Sequence, residues 1–249
     1  MLHRTHKILA PMKAKDRALE IGPLDKPILD RELCDVSYVD VLDDKGLREK
    51  YESNEFVVID NICSVDIVLG EDRLSDRVKA KSVDFIVASH VFEHLPNPIG
   101  FLEDCAAILT PEGVVSLALP DKRYSFDYAR RETCFPDWIA AYAEDVRWPS
   151  APQIADHMAH VRRVKPEQLW QGYYGPFQLY HSQEELLRVL SDKLCNRALL
   201  DCHLWVFSDA GCLSLVDQAN RFLDSPFRDI ALIETEYGEM EFFLHLTKR

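Results

Sequence analysis

"ALEIGPLDKP", residues 18–27, carries the chain's most telling local pattern. An apolar run carrying Glu20 reaches a single glycine, Gly22, followed at once by Pro23, and then by Asp25 and Pro27. This predicts a buried strand over 17–22, a tight turn, and a helix over 26–34 with Asp25 as its N-cap and Pro27 in its first turn. Ligand-binding loops occupy such strand-to-helix junctions.

Working outward, "DVSYVDV" (35–41) predicts a second strand and "DDKGLREKYE" (43–52) a polar helix. "FVVID" (56–60) and "SVDIVL" (64–69) are both strand-like, and the second is favoured as the third central strand. "SVDFIVASH" (82–90) is a fourth, of the near-continuous apolar kind that parallel sheets bury on both faces. In "NPIGFLEDCAAIL" (97–109), Ile99, Leu102, Cys105, Ala106 and Leu109 share one helical face, with Asn97 as cap. "VVSLALP" (114–120) is a fifth strand. The alternation predicts right-handed crossovers and a Rossmann-like, doubly wound α/β sheet.

The pattern breaks over 121–180, which holds 12 of the chain's 25 aromatics and balances eight Lys/Arg against eight Asp/Glu. It reads as a helical, aromatic-rich insertion. Alternation resumes with a helix over 182–194 capped by Ser182, an apolar strand-like run "ALLDCHLWVF" (198–207), and a helix from about 209 to 223. Two closing strands, 228–237 and 239–249, are separated by a turn around Gly238 and must run antiparallel. The expected sheet is therefore seven-stranded with an antiparallel C-terminal pair. The chain divides into an N-terminal segment (1–16), a core (17–120), the insertion (121–180) and the rest of the sheet (181–249).

Composition bounds the function. At 249 residues and 47% hydrophobic, the chain suits one elaborated α/β domain. A net charge of −13 argues against a nucleic-acid partner, which needs a basic face. No apolar stretch approaches the roughly 18 residues of a membrane span, and the basic N-terminus has too short an apolar run for a secretion signal. Seven cysteines (Cys34, Cys63, Cys105, Cys134, Cys195, Cys202, Cys212) form no C-x-x-C pair and fit a reducing compartment. A soluble, cytoplasmic protein is expected.

A dinucleotide would need G-x-G-x-x-G at the first loop, so that its pyrophosphate can collect backbone N–H groups. Pro23 has no N–H, and Leu24 and Lys26 stand where glycines would be expected. A phosphate-free nucleoside such as S-adenosylmethionine demands less. Asp40, ending the second strand 18 residues after Gly22, suits two vicinal ribose hydroxyls. Glu20 would face the ligand's ammonium or a loop donor.

Together, "ALEIGPLDKP", "YVDV", "SVDFIVASHVFEHLPNP", "LTPEGVVSLALPDKRYSFD" and the closing antiparallel pair resemble class I S-adenosylmethionine-dependent methyltransferases. Within these they resemble a bacterial subgroup carrying H-V-x-E-H and P-D-K-R motifs, associated with glycan or secondary-metabolite biosynthesis. The resemblance covers about 17–127 and, by topology, 198–249. It implies Glu20 and Gly22 at the methionine end, Asp40 on the ribose, and Glu71 or Asp72 on the adenine. Ala88, Ser89 and His90 would run beside the sulfonium.

"HVFEH" (90–94) also matches H-x-x-E-H, a zinc-peptidase signature that requires one helix through both histidines. A strand precedes it and Pro96 and Pro98 follow, so no metal is expected there. On the acceptor side, "PDKRYSFD" after the fifth strand supplies Asp121, Lys122, Arg123 and Tyr124 as pocket candidates; an Asp121–Arg123 ion pair fixing the loop is the structural alternative. His90, Asp121 and His203 are candidate catalytic groups, and His157 and His160 further candidates near the acceptor. The aromatic insertion reads as a lid, as helical packing, or as a homodimer surface. The expected activity is methyl transfer to oxygen or nitrogen of a small or sugar-like acceptor. A non-catalytic adenosyl-binding subunit is the rival reading, and a dehydrogenase the third.

Overall fold

The computed structural model describes residues 3–196 and 200–249, with side chains of 193–196 outside the description. Seven strands form one sheet: β1 (Arg17–Ile21), β2 (Asp35–Asp40), β3 (Ile67–Val68), β4 (Val83–Ser89), β5 (Leu109–Pro120), β6 (Phe227–Ile233) and β7 (Glu241–Lys248). Their order is β3-β2-β1-β4-β5-β7-β6. β1 to β5 pair in parallel, whereas β7 runs antiparallel to both β5 and β6. The expected seven-stranded Rossmann-like sheet with its antiparallel closing pair is what forms.

Side-chain alternation divides the core. Ile86 and Ala88 of β4, Val115, Leu117 and Leu119 of β5, and Phe242 and Leu244 of β7 point to one face. Phe85, Val87, Val114, Ala118 and Phe243 point to the other. The first face is covered by α4 (Pro98–Ile108) and α9 (Asp209–Phe222), with Trp138 from the insertion packed among them. The second is covered more thinly, by Ile8 of α1 (Arg4–Ile8) and by Leu29. α4 begins as its sequence dictates: Asn97 accepts the Gly100 N–H at 2.9 Å and Pro98 occupies the first turn.

α2 (Asp44–Tyr51) is capped by Asp43, and α3 (Leu74–Arg77) is a single turn. The insertion contributes α5 (Phe135–Ala143), α6 (Ala151–His160) and α7 (Pro166–Trp170), and α8 (Gln183–Asn196) follows. Among the described residues no helix is long and apolar enough to cross a membrane. Cys34, Cys63, Cys105, Cys134 and Cys212 are free thiols, while the Cys195 side chain lies outside the described residues.

Two expected elements do not form. Residues 26–34 make turns instead of a helix. Both oxygens of Glu20 accept backbone N–H groups there, from Ile28 at 2.7 Å and Leu29 at 2.8 Å, and Leu24 sits at φ +47°. Asp25 caps no helix; it accepts the Val58 N–H at 2.9 Å. The run 198–207 is no strand over its described part, 200–207; Ala198 and Leu199 lie outside the described residues. Its backbone is spent elsewhere. Leu204 and Trp205 donate to the Glu93 carbonyl (2.8 and 3.2 Å), Val206 donates to Thr133 Oγ1 (2.8 Å), and Phe207 accepts from Lys122 (2.7 Å). The segment ties the insertion to the turn after β4.

Candidate active site

In an open α/β sheet the ligand crevice lies beyond the carboxyl ends of the strands, where their order reverses. Here that point falls between β1 and β4. A cavity of about 1000 Å³ opens there, bounded by the loops after β1 to β4 and by the insertion. Gly22, Asp40, Glu71, Asp72, Ser89 and His90 all line it.

At the β1 end, Gly22 has φ +63°, the left-handed region glycine adopts at least cost. A Cβ built on it would stand 2.8 Å from Val91 Cγ2, so the turn after β1 lies hard against the segment after β4. Glu20 lines the cavity too, but its carboxylate is committed to the Ile28 and Leu29 amides, and burial pushes its pKa up to about 7. Asp40 is different. It accepts the adjacent Val41 N–H at 2.7 Å on one oxygen, and burial raises its pKa. Asp72 is paired with Arg77 at 2.6 Å. Ala88 is fully buried inside β4 and is not among the lining residues.

The β4 end is a histidine cluster. His90, at φ +53°, places Nε2 2.9 Å from Glu241 Oε2 and Nδ1 3.4 Å from Glu93 Oε1. Burial disfavours its cation, but the two carboxylates outweigh that and bring its pKa to about 9. Arg4 completes this corner, donating to Glu241 at 2.7 Å and to Ser89 Oγ at 2.5 Å, so α1 reaches the rim of the cavity. His203 Nδ1 stands 2.5 Å from Asp127 Oδ2, and Asp127 also accepts from the buried Arg130 at 2.8 Å. Burial opposes ionisation of Asp127, yet His203 and Arg130 hold it down at about 2. His157 Nδ1 accepts the His203 backbone N–H at 3.2 Å, and burial lowers its pKa to about 3. A neutral imidazole accepting at Nδ1 carries its proton on Nε2. His157 is therefore a hydrogen-bond donor at neutral pH.

His157, His203, Phe126, Trp148 and Tyr180 bring the insertion and the 200–207 segment into the cavity wall. The P-D-K-R loop is elsewhere. Asp121 is fully buried and holds Arg123 at 2.5 Å, Arg123 also reaches Asp209 at 2.6 Å, and Thr235 donates to Asp121 at 2.8 Å. Tyr124 stacks on Trp170 with centroids 3.6 Å apart, and Lys122 reaches the Tyr128 carbonyl at 3.3 Å. None of these four is among the lining residues, and neither is His160, which pairs with Asp156. Sequence reasoning passed over Glu93, Asp127, Glu241 and Arg4. Glu93 and Asp127 lay inside quoted stretches, "HVFEH" and "PDKRYSFD"; Glu241 and Arg4 reach the site from opposite ends of the chain, and nothing local marks them.

A seven-stranded sheet of this order with a cavity at its β1/β4 switch defines a Rossmann-like α/β fold. Comparison with family models sharpens this: a methyltransferase-domain family matches residues 1–173, and the chain belongs to that family. Curated protein sequences give no match. Among solved structures the chain is similar to a SAM-dependent methyltransferase from Aquifex aeolicus (15% identity, TM-score 0.47, covering 100% of this chain and 91% of that one). It is also similar to the CurJ carbon methyltransferase (11%, TM-score 0.44, covering 96% and 50%) and to the DszA carbon methyltransferase (11%, TM-score 0.45, covering 96% and 49%). It spans about half the length of those last two chains.

Proposed function

We propose that this chain is an S-adenosylmethionine-dependent methyltransferase that methylates oxygen or nitrogen of a small or sugar-like acceptor. The supporting observation is the cavity shared by the Gly22 turn, Asp40 and the histidine cluster. The residues present fit the cofactor. Gly22 lines the cavity without the N–H cradle a pyrophosphate needs, and Asp40 keeps lone pairs for a ribose diol. About 1000 Å³ stands at the top of the roughly 300–1000 Å³ range of small-molecule pockets, so a nucleoside fits within it. When bound, the cofactor supplies a methyl group on a sulfonium already activated for in-line displacement.

The chain's own task is then alignment and exclusion of water. Glu20 braces the floor by fixing the turn after β1. Phe126, Trp148 and Tyr180 offer faces against which a sugar or other ring can stack. A hydroxyl acceptor needs a group to take its proton, whereas a neutral amine does not. His90, held as a cation between Glu93 and Glu241, and His157, whose Nδ1 is occupied, are poor bases at neutral pH. His94 and His203 remain as further imidazoles that line the cavity there.

Thermal denaturation with S-adenosylhomocysteine tests the reading. Wild type gains stability, and Asp40→Ala loses that gain; a shift that survives Asp40→Ala removes the ribose role. A shift without any methyl transfer to acceptor pools turns the reading into a non-catalytic adenosyl-binding subunit.

A further inference from the structure

Glu93 is fully buried, and neither of its carboxylate oxygens makes a hydrogen bond. A buried carboxylate without hydrogen bonds depends on neighbouring charge, and native structures pair such groups or put them on metals. What surrounds Glu93 is a set of imidazole nitrogens at ion-pair distance: His90 Nδ1 at 3.4 Å, His203 Nε2 at 3.8 Å and His94 Nε2 at 4.0 Å.

Two of these histidines are held in the posture of metal ligands. His203 turns Nδ1 to Asp127 at 2.5 Å, and His94 turns Nδ1 towards Asp201 at 3.4 Å, so each presents Nε2 to the same oxygen of Glu93. A carboxylate behind the distal nitrogen is the usual support of a ligating imidazole: it fixes the ring and leaves the other nitrogen to bind. One donor atom from each of Glu93, His94 and His203 falls within a 4.8 Å span. Bonds of about 2.0–2.2 Å to a common cation bring ligand atoms to about 3.4 Å from one another, so the side chains need close by less than ~1.5 Å. His90 also turns Nδ1 to the same Glu93 oxygen with Nε2 on Glu241, but among the described residues only Glu93, His94 and His203 bring their donor atoms within one 4.8 Å span.

We infer that Glu93, His94 and His203 bind one divalent transition-metal cation, with an open coordination position directed into the cavity. Two imidazoles and one carboxylate suit zinc and its first-row neighbours, and three protein ligands leave room for a water or a substrate oxygen. His94 and His203 both line the cavity, which puts the open position at its acceptor end. This proposal departs from the expectation that H-x-x-E-H is metal-free. The geometry differs from a peptidase: a single 3₁₀ turn, Phe92–His94, replaces the helix, and the second imidazole comes from residue 203. That the cation holds the acceptor rests on the methyltransferase reading above. That it binds does not.

The test uses the whole purified chain, stripped with chelator and then titrated with Zn²⁺ by calorimetry and with Co²⁺ by visible absorption. One ion per chain is expected, with the d–d bands of a nitrogen/oxygen-ligated, low-coordinate cobalt. Glu93→Gln and His94→Gln should each weaken Zn²⁺ binding by at least about tenfold, and Asp127→Asn, acting through His203, by about 10–100-fold. A His3→Ala/His6→Ala double variant should leave binding unchanged and so exclude the exposed N-terminal histidines. Absence of ion binding by the wild type, or binding of wild-type strength in both Glu93→Gln and His94→Gln, overturns the assignment and leaves Glu93 balanced by imidazolium charge alone. Circular dichroism confirms that each variant folds; the wild-type cobalt spectrum needs no variant at all. These titrations contain no S-adenosylhomocysteine, so failure of the cofactor reading leaves their result standing, and the reverse holds too.

Discussion

Two buried carboxylates, one lining the cavity at its β1 end and one behind the histidines of its β4 end, have opposite fates. Glu20, at the β1 end, spends both oxygens on the Ile28 and Leu29 amides. Glu93, at the β4 end, spends neither on a hydrogen bond. Both are nearly inaccessible, at 3% and 0% exposure, so solvent does not account for the difference. The first is structural: it sets the shape of the turn before any ligand arrives. The second is held in reserve, in a shell of imidazoles that a ligand can complete. Burial of an ionisable group thus marks function only where its hydrogen-bonding capacity is left over.

The comparison can be broken by substitution. Glu20→Ala strips an acceptor from two buried amides and is expected to cost about 2–6 kcal/mol in urea unfolding. The pH dependence comes next. The folded pKa of Glu20, about 7, lies above the ordinary 4.5. Its contribution to stability is therefore full below pH 4.5 and lost as pH rises through 7, by about 3 kcal/mol. Unfolding free energies measured across that window should show the decline in wild type and a flatter profile in Glu20→Gln. Gly22→Ala combines a left-handed φ with a 2.8 Å approach to Val91 and is expected to cost about 1–3 kcal/mol, with loss of the S-adenosylhomocysteine thermal shift. Glu93→Gln removes no hydrogen bond and leaves the His90 cation paired with Glu241, so it should cost less than Glu20→Ala. If it proves as damaging as Glu20→Ala, the contrast between the two acids is void.

Much of the sheet was legible because parallel strands need continuous apolar runs, and 17–22, 35–41, 82–90 and 114–120 supply them. The helix expected at 26–34 failed for a reason no local signal carries: Asp25 and Pro27 read as cap and first turn, but Glu20 captured the amides that a helix would have used. The run 198–207 looked like a strand because it is apolar, yet apolarity states that a segment is buried and not what its backbone bonds to. At the site, the positions of Gly22, Asp40, Ser89 and His90 follow from strand order alone. Asp127 sat unremarked at the end of the quoted "PDKRYSFD", and Glu241 and Arg4 were out of reach because each arrives from a separate element, its relevance existing only in three dimensions.

The strand order β5-β7-β6 has a consequence for how this molecule comes into being. The last of the seven strands is an interior strand of the sheet, so during synthesis β5 must present an open edge until residue 248 has left the ribosome. Phe242, Phe243 and Leu244 then arrive together as the final wedge of the core. Glu241, at the head of that wedge, delivers the partner of His90, and the pocket becomes competent only once β7 has been made.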